Sequence, residues 1–316
     1  MRSARFVPVL ALLLFFISTT LTFAQAKGAN EKRRNFGIGQ PKSVQELPYG
    51  QLRKQIERLP PKARGKALGW LRSFSFPSED IGSLRVNSQG DISYADMAVP
   101  DLADAEYVSE QDFVSSDIDE QQVFALHSRP GSSNVLFLDF DGAIVEGRAW
   151  SGERLVALPF DPGQNDNPVT TANFTQDELN RIHEIWHRVA EDYAPFDIDV
   201  TTEEPAEFTT TTGHILFTHD SDASGKAMPG QGAGGVAYIN VFGSSVYRKY
   251  SPAFVYYTNL SSNSYGVVGF NAEAASHEFG HNMGLAHDGV SGVAEYYEGH
   301  GDGLVSWAPI MGKPYH

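Results

Sequence analysis

Cysteine is absent from the 316-residue sequence. The folded chain therefore has no disulfides and relies on its core and on bound ions. Basic residues are scarce, 24 against 39 acidic ones, for a formal net charge of −15. Removing residues 1–24, which hold Arg2 and Arg5 and no acid, leaves 22 against 39 and a net charge of −17. So acidic a surface argues against nucleic acid and anionic membrane as partners. Long apolar runs are missing as well. Residues 6–17 are apolar but include Pro8, and a dozen residues fall short of the roughly 20 that a helix needs to span a bilayer. No later stretch could cross one.

That short apolar run follows a basic start, Arg2 and Arg5, and is followed by Ala24-Gln25-Ala26, a small-residue cleavage pattern. Residues 1–24 thus read as a signal peptide whose removal delivers a secreted protein without a membrane anchor. Residues 25–128 change texture along their length. Up to Arg72 they are basic, and the pattern predicts a helix over 50–59, with Leu52, Ile56 and Leu59 on one face, then a second over 62–72 after Pro60-Pro61. From Glu79 to Glu120 there are twelve acids opposed by Arg85 alone. A segment that is first basic and then acidic can fold back on itself or lie over the next domain, as a propeptide does; a solvated linker is the other reading.

Residues 126–131 read as a turn and boundary, which leaves 129–316 as the main domain. Strands are predicted over 135–138, 196–200, 214–218 and 236–241. An amphipathic helix is predicted over 176–192, with Leu179, Ile182, Trp186 and Val189 on its buried stripe. Thr175 and Glu178 form a capping box at its start.

The chemistry is concentrated in residues 277–288, His-Glu-Phe-Gly-His-Asn-Met-Gly-Leu-Ala-His-Asp. On a helix, His277 and His281 project from one face and can share one metal ion. Glu278 can reach a metal-bound water without being a ligand. Gly284 stops the helix in a left-handed turn that returns His287 as a third nitrogen ligand. Three protein ligands and one open position describe a catalytic zinc.

The pattern HExxHxxGxxHD resembles the long zinc signature of the metzincin endopeptidases, and Asp288 brings it nearest the adamalysin/reprolysin branch. The resemblance covers residues 130–316. It implies zinc on His277, His281 and His287, Glu278 as general base, and a protein or peptide substrate. It implies an α+β fold, a twisted mixed sheet with a backing helix and the zinc helix, then a short irregular C-terminal subdomain. It also implies a methionine turn under the zinc, with Met311 as the candidate. Residues 234–239 look like the family's edge strand, which makes Gly235, Val236, Ala237 and Tyr238 the substrate-binding residues. Tyr315 is a candidate transition-state donor. Only five residues follow Met311, where family members usually continue into a helix, so a C-terminally truncated domain is expected. Some metzincins block their zinc with a propeptide cysteine; here any latency must come from another ligand, such as a carboxylate, or from steric cover, and Asp91, Asp96, Asp101 and Asp104 are candidates for the carboxylate.

Three other readings compete. His183-Glu184-Ile185-Trp186-His187 is a second HExxH, but Ala190 and Tyr193 stand where the glycine and third histidine belong. The run ending in Asp139-Phe140-Asp141-Gly142 resembles the first motif of haloacid-dehalogenase-type phosphatases, with Asp139 as nucleophile and Asp141 as acid. The lysine and acidic pair that would hold magnesium do not follow. The same two carboxylates can bind calcium or cap a turn. Finally, a metzincin-like domain that binds without cleaving fits the short C-terminus.

Overall fold

The computed structural model describes residues 34–99, 119–162, 173–260, 264–301 and 307–313. The predicted signal peptide, Asp101, Asp104 and Tyr315 lie outside the described residues.

The N-terminal region builds a core of its own. Strand β1 (Asn35–Phe36) is followed by helices α1 (Gln51–Arg58) and α2 (Pro61–Leu71) and by strand β2 (Phe76–Pro77), which pairs with β1. Pro61 sits in the first turn of α2, where a missing N–H costs nothing. Leu52 and Ile56 of α1 pack with Ala67 and Leu71 of α2 against Phe36, Phe74 and Phe76. Tyr94 and Ile239 complete this cluster. Ile239 belongs to the main domain, so the core continues across the predicted boundary.

Two further N-terminal strands, β3 (Leu84–Val86) and β4 (Ile92–Met97), add Leu84, Ile92 and Tyr94 to that core and join the main sheet. A capped turn of helix, α3 (Glu120–Val123), precedes β5 (Val135–Asp139) and the hairpin β6 (Ile144–Val145) and β7 (Leu155–Val156). Next come α4 (Gln176–Asp192), β8 (Asp199–Thr201), β9 (Thr212–Thr218), β10 (Ala233–Tyr238), β11 (Ala253–Tyr256) and α5 (Ser264–Asn282). The fold is α+β, and its main sheet has the order β3-β4-β10-β11-β9-β5-β8. Strands β8, β5, β9 and β11 run parallel, whereas β10, β4 and β3 are joined by antiparallel pairings.

Residue alternation along the strands decides which face each side chain serves. Leu136, Leu138, Ile215 and Phe217 face the helices, with Leu179, Ile182, Ile185 and Val189 of α4 and Ala275 and Phe279 of α5. Trp186, expected on the buried stripe, is half-buried beside it and donates its indole N–H to Val200 O at 2.9 Å. Thr175 and Glu178 form the capping box that starts α4. Tyr193 Oη donates to Ser276 O at 2.8 Å and Ser276 Oγ to Asp192 at 2.6 Å, which fixes α5 against the end of α4.

The strand read as an edge is not one here. β10 is flanked on its outer side by β4, with Ser93 opposite Tyr238, Tyr94 opposite Ala237, Ala95 opposite Val236 and Met97 opposite Ala233. The acidic segment that composition left between linker and cover is, over these residues, a paired strand of the sheet. Between the pairs at Ala233 and Val236, two residues of β10, Gly234 and Gly235, face one of β4, Asp96, which makes a β-bulge.

Candidate metal centre

Helix α5 ends as its sequence requires. Gly284 takes φ +98°, its N–H bonds His281 O at 2.9 Å, and Leu285 N–H bonds Gly280 O at 3.0 Å. This is a glycine-terminated cap of Schellman type, and it reverses the chain so that His287 returns to the helix face. His277, His281 and His287 are all buried. The ring centroids of His277 lie 4.7 Å from those of His281 and 5.2 Å from those of His287.

Each ring is oriented through its other nitrogen. The Nδ1–H groups donate to Ile310 O at 2.7 Å from His277, to Leu285 O at 2.8 Å from His281, and to Glu295 Oε1 at 3.1 Å from His287. That pattern reserves each Nε2 for the common point, where the neutral imidazole that binds a metal offers its lone pair. All three Nε2 atoms are buried without a hydrogen-bond partner. Bare nitrogens turned toward one point are costly unless a cation sits there, so the residues present fit a zinc ion.

A fourth residue shares the point. Asp96, the penultimate residue of β4, places Oδ1 2.9 Å from His287 Nε2 and Oδ2 3.3 Å from His281 Nε2 and 3.7 Å from His277 Nε2. The four side chains form a cluster able to hold one metal ion. Burial works against ionisation of Asp96, but His287 and His281 outweigh it and hold its carboxyl well below the usual range. Burial pushes His277 down to about 3. His287 is drawn the other way, to about 10, because Asp96, Glu295 and Asp80 overcome the cost of its burial. So many carboxylates around one imidazole amount to a demand for positive charge.

Several surrounding residues were not legible in the sequence. Tyr94 stacks on His281 with centroids 4.0 Å apart and planes 5° from parallel, and its hydroxyl donates to Asp80 at 2.7 Å. Asp80 also accepts the His287 backbone N–H at 3.1 Å, and with Glu295 it makes a second acidic group around that histidine. Tyr296 Oη donates to Asp96 Oδ1 at 2.9 Å. No local motif marks these residues.

Glu278 is buried beside β10, its Oε1 pressed against Gly235 so closely that any Cβ at that position would collide with it. Burial, then the charge of Asp96, drives its pKa well above the ordinary value. Gly235, Val236, Ala237 and Tyr238 lie along the bulged strand above it, all buried under β4. Met311 lies under the helix, its Sδ against Gly280, and its carbonyl accepts the Asp288 N–H at 2.7 Å.

The other motifs stand elsewhere. His187 is exposed on α4 and Glu184 pairs with Arg188 at 3.1 Å. Asp139 ends β5 on the sheet face away from the helices, with Oδ2 2.7 Å from His214 Nε2. Both line a cavity of about 560 Å³ with Asp141, Arg148 and Arg248. Among the described residues no third metal ligand joins Asp139 and Asp141. The long helices α4 and α5 share one face of the sheet, unlike the two-sided cover of the doubly wound phosphatase fold.

Comparison with protein families matches residues 166–288 to the reprolysin-like metallopeptidases of family M12B. No curated protein and no solved structure gave a match. The matched segment runs from the approach to α4 through all three histidines, and over these residues the chain is similar to the reprolysin-like metallopeptidases, which supports a metzincin-like zinc metallopeptidase.

Proposed function

We propose that this is a secreted zinc endopeptidase held latent by its own N-terminal region, with Asp96 as the blocking ligand. The observation that carries this reading is the meeting of three bare imidazole nitrogens with one carboxylate from a strand lying where substrate would lie. Secretion rests on the signal-peptide pattern of residues 1–24. Residues 25–128 act as the propeptide and 129–316 as the catalytic domain.

His277, His281 and His287 hold zinc through Nε2. Bound there, zinc supplies a water acidic enough to ionise near neutral pH and polarises the scissile carbonyl. Glu278 accepts the water's proton on its carboxylate and returns it to the departing amine. Strand β10 holds an extended peptide by main-chain hydrogen bonds, as it holds β4. The bulge at Gly235 lets that peptide come close to Glu278, since no side chain intervenes. Asp96 stops all this by standing where the water and carbonyl belong.

The test is zinc content together with casein hydrolysis by the full chain carrying Asp96→Ala, before and after a chelator. Zinc near one per chain and hydrolysis that the chelator abolishes are expected. A zinc-loaded, folded variant that leaves casein intact would support a binding domain instead.

A further inference from the structure

Beyond Asp96, a second side chain of the N-terminal region is seated beside the cleft. Trp70 of α2 has its ring 6.0 Å from Tyr238, near parallel, and 5.0 Å from Tyr250, edge-on. Its indole N–H donates to Ile239 O at 2.9 Å. That carbonyl lies one residue past the end of β10, beyond its last pair with β4. The Tyr238 carbonyl before it turns the other way and is taken by Asn282 Nδ2 of the zinc helix at 2.9 Å. The Ile239 carbonyl is thus the next outward acceptor along the line a bound peptide follows.

The walls of this cleft belong to the main domain. Tyr238 packs on Trp150 with centroids 4.0 Å apart and donates its hydroxyl to Ala149 O at 3.0 Å. Tyr250 packs on Tyr238 at 5.0 Å. Removing the N-terminal region leaves two aromatic rings, Tyr250 and, backed by Trp150, Tyr238, and a free backbone acceptor around an indole-sized space. Direction follows from register. β4 runs antiparallel to β10 from Ser93 beside Tyr238 to Met97 beside Ala233, with Glu278 against Gly235 between them. A peptide on the same path has its N-terminal residues near Tyr238 and Ile239.

We propose that the cleft filled by Trp70 is a substrate subsite for an aromatic side chain, tryptophan above all, several residues before the scissile bond. This rests on the peptidase reading above. Flat rings suit the site because edge-to-face and offset contacts with Tyr238 and Tyr250 add to the burial of the side chain. The indole N–H, a donor that phenylalanine lacks, reproduces the bond to Ile239 O.

The test uses the chain with Asp96→Ala and Trp70→Ala and a site-specific protease sequence inserted and cut between residues 100 and 118, so that both plugs are gone and β4 is free to leave β10. Decapeptides with tryptophan three, four or five residues before one cleavable bond compete with the all-alanine version, and fragment masses give the ratio of kcat/KM. At one position a preference of about tenfold for tryptophan is expected, and adding Tyr250→Ala brings it to within about twofold. Cleavage of every peptide at equal rates overturns the subsite and leaves the peptidase reading standing. If none is cleaved, the peptidase reading falls, and calorimetric binding of the same peptides decides the subsite, which equal affinities overturn. Trp70→Leu replaces Trp70→Ala should the latter fail to fold.

Discussion

Asp96 Oδ1 lies 2.9 Å from His287 Nε2, a contact between the penultimate residue of a strand in the N-terminal region and the last of three histidines in the zinc signature. One acidic side chain is thereby inserted into the only part of the sequence with an unmistakable chemical pattern. The rest of β4 supports it, since Tyr94 stacks on His281 and anchors to Asp80, which in turn holds the His287 backbone.

Glu278 is expected to act on protons and not on the metal. In the Asp96→Ala chain, Glu278→Gln should keep its zinc and lower peptide turnover by about a hundred- to ten-thousand-fold. Zinc analysis beside initial rates checks this. Turnover within twofold of the parent would remove Glu278 from the chemistry.

Gly235 is expected to be intolerant of any side chain. Its missing Cβ is the space that the Glu278 carboxylate occupies. Gly235→Ala should displace that carboxylate and cost about a hundredfold in rate, the usual consequence of a misplacement on the order of 1 Å. Zinc content should not change. A fully active alanine variant would show that Glu278 acts from elsewhere.

How much of this was legible in the sequence depended on distance along the chain. The histidine triad was, because i and i+4 share a helix face and Gly284 dictates the reversal; these are local facts. The span of α4 and its cap were legible for the same reason. Asp96 was one of four acids with nothing local to distinguish it, and the register of β4 on β10, a long-range pairing, selects it. Glu295, Tyr94, Tyr296 and Asp80 carry no pattern at all. Strand β10 read as an edge because a sequence does not announce which distant segment will pair with it. Trp186 stands at the margin of the buried stripe, where its indole N–H reaches Val200 O, while Ile185 beside it is fully buried.

Glu295 orients His287 through Nδ1. Glu295→Ala is expected to weaken zinc binding by about ten- to a hundredfold, as loss of such supporting partners does elsewhere. Competition with a fluorescent chelator measures it. An unchanged zinc affinity would mean that Asp80 alone suffices.

His127 is expected to give a pH-dependent contribution to stability. Burial tends to lower its pKa, but Glu203 at 2.8 Å and Asp199 at 2.7 Å outweigh this and raise it above 6.5. A histidine with a raised folded-state pKa stabilises fully below its unfolded pKa, and the contribution fades as pH rises through the folded value. His127→Gln should therefore lower the melting temperature most below pH 6.5, and progressively less as the pH rises above it. The effect should stay below about 1 kcal/mol, because the pair is partly solvated. A deficit that grows with pH would reverse the sign and contradict the ion pair.

The most direct measurement is the initial rate on one short peptide for the wild-type full chain and its Asp96→Ala variant at matched bound zinc. Removing the blocking carboxylate should raise the rate at least about tenfold, since a zinc with all four positions filled has none open for catalysis. Equal rates from two folded, equally zinc-loaded proteins would contradict the proposal that Asp96 holds the enzyme latent.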